Sequence, residues 1–238
     1  NVLRINLADP HTEIKGLVNP DGVSNRDKVT SLVEKNNAVA GINGAFFNYN
    51  PIPSALGPLI NKGDLITTPN QDANGSLPGI FIDFLNNAKI DYFNRQLTGS
   101  NISKGYEFNI DAVNNLTQDF RGITMLNEHW GAESIGTRFH NDLIEVVIEN
   151  DYVVDVRVGK EQVPIPTNGY ILLGRGVQAQ DLLNFSIGDY VDLNVSNTPG
   201  INDIRFAIGG GSYILENGQL RKPNIPSPGN APRTGIGI

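Results

Sequence analysis

The sequence predicts an α+β fold, with a mixed β-sheet core, a few short helices and a mainly β insertion. Three observations carry this expectation. Period-two apolar runs dominate the chain, helical spacing occurs at only two places, and the 26 Gly and 14 Pro of the 238 residues are spread out instead of gathering in a linker. At roughly 100–200 residues per domain, this length suits one large domain or one domain with an insertion.

The elements follow in order. Val2–Leu7 places Leu3, Ile5 and Leu7 on one side, a strand that Asp9-Pro10 ends. Ser24-Asn25-Arg26-Asp27 resembles a capping box, with Val29, Leu32 and Val33 spaced behind it, which predicts a helix over Asn25–Lys35. The apolar run Ala38–Ile42 reads as a buried strand. Short strands are expected around Leu59–Ile60, Leu65–Thr67 and Ile80–Phe84, the first two joined by the turn Asn61-Lys62-Gly63-Asp64. Residues 95–120 are polar and aperiodic and read as a crossing segment. Beyond Gly122 the β texture is more regular. Leu143–Ile148 and Tyr152–Val158 flank the turn Glu149-Asn150-Asp151; Tyr170–Leu173, Tyr190–Val195, Ile204–Ile208 and Tyr213–Leu215 are further strands. Val177–Phe185 reads as a short helix, and Asn217-Gly218 as another hairpin turn.

Composition narrows the function. With 25 Asp+Glu against 18 Lys+Arg the net charge is −7, which argues against a nucleic-acid partner, since that needs a basic stripe. No run approaches the ~18 apolar residues of a membrane-spanning helix. Cysteine is absent, excluding disulfides, thiolate zinc sites and a cysteine nucleophile. This fits a secreted or cell-surface protein. His11, His129 and His140 lack metal-ligand spacing, so no metal and no cofactor is expected. The chain opens on Asn1 without a leader and stops inside Ile236-Gly237-Ile238, which reads as a processed piece with sequence missing downstream.

Gly174-x-Gly176-x-x-Ala179 imitates a dinucleotide fingerprint, but antiparallel hairpins surround it, so it reads as a strand-to-helix turn. The 30 asparagines include Asn-x-Ser/Thr sequons at Asn74, Asn101, Asn115, Asn184 and Asn194, few enough above chance to be weak evidence of glycosylation.

Three stretches carry chemistry. Ala40–Asn48 ends in Asn43-Gly44 and the aromatics Phe46 and Phe47, an amide beside an apolar wall; a tight turn with core Phe explains it equally well. Ala207–Gly218 contains Gly209-Gly210-Gly211-Ser212, where bare amides can hold an oxyanion or a sugar hydroxyl. Ala231–Ile238 places Arg233 beside Thr234, a pair suited to phosphate or carboxylate.

In this order the three stretches resemble the phosphodiester glycosidase family. Its pattern is matched by Asn43-Gly44-Ala45-Phe46-Phe47, by Leu56-Gly57 through Gly63 and Ile66, by Gly209–Gly218, and by Arg233-Thr234-Gly235-Ile236-Gly237, with Gly235 where the family usually has Ala. The resemblance implies residues 1–120 as the N-terminal part of a glycosidase-like core. It implies 121–198 as the β-rich insertion and 199–238 as the return to the core, incomplete at its C-terminus. The family continues into an Asp-Gly-Gly-Gly-Ser segment that is not in this chain, so the fragment is expected to be inactive alone or to need a complementary C-terminal segment or chain.

The implied activity is hydrolysis of a sugar-1-phosphodiester in a cell-surface or extracellular glycan. Arg233 would hold the phosphate, with Thr234 and the Gly209–Gly211 amides assisting. Asn43 would orient sugar or water, while Gly44, Phe46, Phe47 and Ser212 would complete the substrate site. The carboxylate is expected in the absent segment, with Glu128 as the local alternative. A non-catalytic, glycan-binding surface protein of the same fold is the competing reading.

Overall fold

Asparagine turns shape this chain. The computed structural model describes residues 2–44, 46–48, 52–69, 75, 77–116, 119–198, 203–222 and 233–238. Among these, eight non-glycine residues have positive φ, and Asn37, Asn86, Asn114, Asn150 and Asn217 take five of the places. Asparagine tolerates the left-handed region better than other L-residues. Three two-residue hairpins have positive φ at both central positions, each with an asparagine or glycine at one of them or both: Lys62-Gly63, Asn150-Asp151 and Asn217-Gly218. All three turns were expected.

In chain order the strands of the first half are β1 (Phe47–Asn48), β2 (Ser54–Ala55), β3 (Leu59–Asn61), β4 (Asp64–Thr67), β5 (Pro78–Asp83), β6 (Ala88–Tyr92), β7 (Asn94–Asn101), β8 (Tyr106–Asn109) and β9 (Ala112–Val113). The second half adds β10 (Thr124–Leu126), β11 (Ile144–Glu149), β12 (Tyr152–Val158), β13 (Gly169–Gly174), β14 (Val191–Thr198), β15 (Ile204–Gly209), β16 (Leu215–Glu216) and β17 (Gln219–Leu220). The fold is therefore β-rich, which corrects the α+β expectation. Against these strands stand one α-helix, α1 (Val29–Lys35), and 3-10 stretches at Gly136–Arg138 and Val177–Asn184, among the described residues.

Helix α1 is shorter than the expected Asn25–Lys35, and none of its residues is buried. The reason is local. The Ser24 hydroxyl donates to the Trp130 carbonyl (2.7 Å) instead of capping, and the helix begins after Lys28, where Asp27 accepts from Lys28 N–H, Ser31 and Lys35. Those bonds, the Lys35 contact foremost, lower the Asp27 pKa to about 2. Two expected strands are also absent. Val2–Leu7 and Ala38–Ile42 join no sheet among the described residues, and Val2, Val39 and Ile42 are exposed. Gly41 packs instead beside Val33, Leu17 and Val29. An amide clamp ties the preceding coil down: Asn61 accepts from Gly16 N–H (2.7 Å) and donates to Gly16 O (2.9 Å), imitating a strand pair with one side chain.

Three sheets build the core. The first has the order β4-β3-β15-β5-β6, all antiparallel, and closes over Ile60, Phe81, Phe93, Ile204 and Ala207. The second is β14-β7-β8, and the third is β12-β11-β13-β10-β9, antiparallel except for the β9–β10 pair. The expected crossing segment at 95–120 therefore contains β7, β8 and β9. Side chains of the second and third sheets share the largest apolar cluster, which includes Leu97, Phe108, Val146, Leu172 and Val191. The other face of the third sheet buries Leu126 and Leu173 with Phe120, Trp130 and Ile135. On that face the register puts Glu145 opposite Arg157. The Glu145 carboxylate lies 3.2 Å from Arg157 Nε, with side chains only 2% and 9% exposed, and also accepts the N–H groups of Ile135 and Gly136. An ion pair this deep is tolerated because the backbone satisfies its remaining lone pairs. Two of the five sequons, Asn101 and Asn115, are fully buried, so the folded chain offers no access to them.

Asp189 fixes the junction of β7 and β14. Burial pushes its carboxyl up, but bonds from Asn101 (2.8 Å), Ser186 N–H (2.8 Å) and Lys104 (3.1 Å) outweigh burial, so its pKa lies below the ordinary carboxylate value. A depressed carboxylate pKa means stability that is complete above the unfolded value of roughly 4 and is lost as pH falls through the folded value. Asp189→Asn is therefore expected to flatten the fall of melting temperature between about pH 5 and pH 2. An unchanged acid limb would show that Asp189 contributes nothing there.

Candidate functional site

β15 runs through the centre of the first sheet and delivers the triple glycine to its end. The strand needs glycine there for packing. A Cβ on Gly57 would come within 2.6 Å of Gly209 Cα, so the two backbones approach too closely for any side chain. The Gly209 N–H donates to Pro58 O (2.9 Å) and the Gly210 N–H to Pro78 O (2.7 Å). Two of the three amides expected to assist the phosphate are thus engaged within the sheet. Beyond them, Tyr213 anchors the turn: its hydroxyl donates to Ile90 O (2.7 Å), and its ring tilts against Tyr92 with centroids 5.6 Å apart. Sequence reasoning passed over both Gly57 and Tyr213, although Gly57 stands in the Leu56-Gly57 motif and Tyr213 directly follows Ser212.

The segment with Asn43 lies across this strand end. Gly44 sits over Ile208, where a Cβ would meet Ile208 Cδ1 at 2.2 Å. The Phe46 ring occupies the space beside Gly211, where a Cβ would lie 2.1 Å from Phe46 Cε2. β1 then pairs with β2, Phe47 opposite Ala55, and Leu56 N–H donates to Phe46 O (2.8 Å). Phe47 is 44% exposed. From the far end of the chain, Thr234 donates its hydroxyl to Asn43 Oδ1 at 2.5 Å. Residues 191 positions apart are thereby joined, and Arg233 is the neighbour of that contact. Arg233 and Ser212 both have interaction partners within the fold. The expected residues Asn43, Gly44, Phe46, Gly209, Gly211 and Thr234 are thus linked by contacts around the end of β15. Ala45 and Ala231 of the same motifs lie outside the described residues.

Glu128 lies elsewhere. It is exposed in the turn after β10, next to Asn127, whose side chain bonds Asn114 and the His129 N–H. None of those contacts reaches the Asn43–Thr234 pair. Among the described residues no group of three or more His, Cys, Asp or Glu is arranged to hold a metal.

Residues 142–238 match the phosphodiester glycosidase family. The phosphodiester glycosidase match runs from just before β11 to Ile238, so it contains the triple glycine, Arg233 and Thr234, while Asn43, Phe46 and Glu128 precede it. The resemblance stated from the motifs is borne out over this part. No curated protein matches the sequence. Two crystal structures share the fold. A hypothetical protein from Synechocystis superposes over 92% of this chain with a TM-score of 0.74 and 21% identity. A candidate exported protein from Burkholderia pseudomallei K96243 superposes over 80%, with a TM-score of 0.64 and 18% identity. The chain spans 40% and 45% of those two proteins' own lengths. At such identities the likeness is one of fold. No helix among the described residues is long and apolar enough to cross a membrane.

Proposed function

We propose that this chain is the hydrolase-like core of a phosphodiester glycosidase, acting on a sugar-1-phosphodiester in a secreted or cell-surface glycan. The observation that carries the reading is the Thr234–Asn43 hydrogen bond, which joins two stretches that resemble the family's motifs, only the second inside the family match. The family match supplies the reaction class.

In this reading the departing phosphodiester is a weak base, so charge stabilisation matters more than protonation. Arg233 takes the phosphate, and Thr234 is fixed beside it by Asn43. Asn43 keeps its NH2 to orient sugar or water, and Phe46 walls the site against Gly211. With the Gly209 and Gly210 amides donating to Pro58 and Pro78, the backbone contribution passes to Gly211. Glu128 lies apart, so this reading does not assign it as nucleophile or base. The region 121–198 is the proposed insertion, between core parts 1–120 and 199–238. The same engaged amides favour the second reading, a glycan-binding protein that keeps the fold without the chemistry.

The deciding experiment is release of free sugar from a sugar-1-phosphodiester by the full-length natural protein. Turnover that falls at least tenfold in Thr234→Val supports the hydrolase. Absence of turnover in the wild type leaves the binding protein as the answer.

A further inference from the structure

A cavity of about 320 Å³ opens beside the β1–β2 hairpin, and the reaction proposed above does not use it. Ile52 and Trp130 form its apolar side, and Asn25, Glu133, Arg138 and Gln162 stand among its polar lining. The residues linked around the end of β15 are not part of that lining. In the ladder, Ser54 pairs with Asn48, and Leu56 meets Phe46 two residues further on. Pro53, a wall of the cavity, is thus three strand residues from Leu56, about 10 Å.

The walls are pinned from several parts of the chain. Val23 N–H donates to His129 O (2.8 Å), and Ser24 binds Trp130 O through both its N–H and its hydroxyl. Glu145 holds the Ile135 and Gly136 amides from below, while Gln162 donates to Ser134 O (2.7 Å). A pocket fixed this way is preformed, and its volume lies at the lower end of the ~300–1,000 Å³ common for small-molecule clefts.

The chemistry of the lining selects a ligand. Arg138 and Glu133 cancel in charge, so a phosphate would meet a carboxylate as well as a guanidinium. Asn25 and Gln162 spend an amide N–H on Asp21 O and Ser134 O, which leaves their carbonyl oxygens to accept. Acceptors joined by one guanidinium donor, over an Ile and Trp side, match a polyol ring with an apolar face. We propose that this cavity binds one uncharged sugar unit, at a site distinct from the reacting one and independent of whether cleavage occurs.

Trp130 is the single tryptophan of the chain and lines this cavity, so its fluorescence reports on a ligand bound there. The experiment titrates the protein with glucose, N-acetylglucosamine and their disaccharides, with inorganic phosphate as the charged control. A saturable spectral change with at least one sugar and none with phosphate is expected. Arg138→Ala and Glu133→Ala, both at exposed positions, should each weaken it at least tenfold without moving the melting temperature. No response to any sugar, an equal response to phosphate, or wild-type titration in both variants would overturn the proposal. Thr234→Val should titrate like wild type, so a failed cleavage assay and a failed cavity remain distinguishable.

Discussion

Arg157→Met is expected to lower the unfolding free energy by about 3–5 kcal/mol, the largest stability loss that the structure points to. The substitution leaves the Glu145 carboxylate 2% exposed with two backbone donors and no countercharge. Uncompensated burial of that charge is the cost, because Met fills much of the arginine stem's volume. For a chain of this size the melting midpoint should fall by roughly 10 °C. Adding Glu145→Gln removes the charge while keeping an oxygen for the Ile135 and Gly136 amides, so the double variant should regain part of the loss. A double variant as unstable as the single one would show that the arginine's packing, and not the pair, holds this face of the third sheet.

The second large effect is catalytic. If Arg233 receives the departing phosphodiester, Arg233→Ala should lower turnover of a sugar-1-phosphodiester by about 10²–10³-fold, the usual consequence of losing one charge-stabilising donor. Arg233→Lys should recover only part of it, since an ammonium retains the charge without the planar fork. The residue is exposed, so melting should shift little in either variant. Equal turnover in wild type and Arg233→Ala would remove the residue from the mechanism.

How much of this was legible beforehand depends on which residues face inward. The hairpins at Lys62-Gly63, Asn150-Asp151 and Asn217-Gly218 were readable because turn chemistry is local. β11, β12 and β13 were readable because the side they turn to the shared cluster carries mainly Val, Ile and Leu. β7 was not: its buried positions are Arg95, Leu97, Gly99 and Asn101, a set with no apolar period. Arg95 is held by the Pro69 and Ile110 carbonyls, partners no spacing reveals. Conversely, Val2–Leu7 and Ala38–Ile42 have the apolar composition of strands and enter no sheet among the described residues, since a strand also needs a neighbour for its amides. The α+β expectation failed at the helix, which starts at Val29 behind an N-cap, Lys28, that has no side-chain cap bond, and where no residue became buried. At the site, motifs named the residues that the fold gathers, but only coordinates show that Gly209 and Gly210 spend their amides on Pro58 and Pro78.

The place of β15 between β3 and β5 has a consequence for biosynthesis. Ile60 must wait for Ala207, so the hairpins on either side leave the ribosome well over a hundred residues before the strand that unites them. Contacts this distant in sequence slow folding and leave sheet edges open to other chains meanwhile. The nascent polypeptide is therefore most vulnerable to aggregation until β15 has emerged, and a stalled translation product ending near residue 198 would carry those open edges permanently.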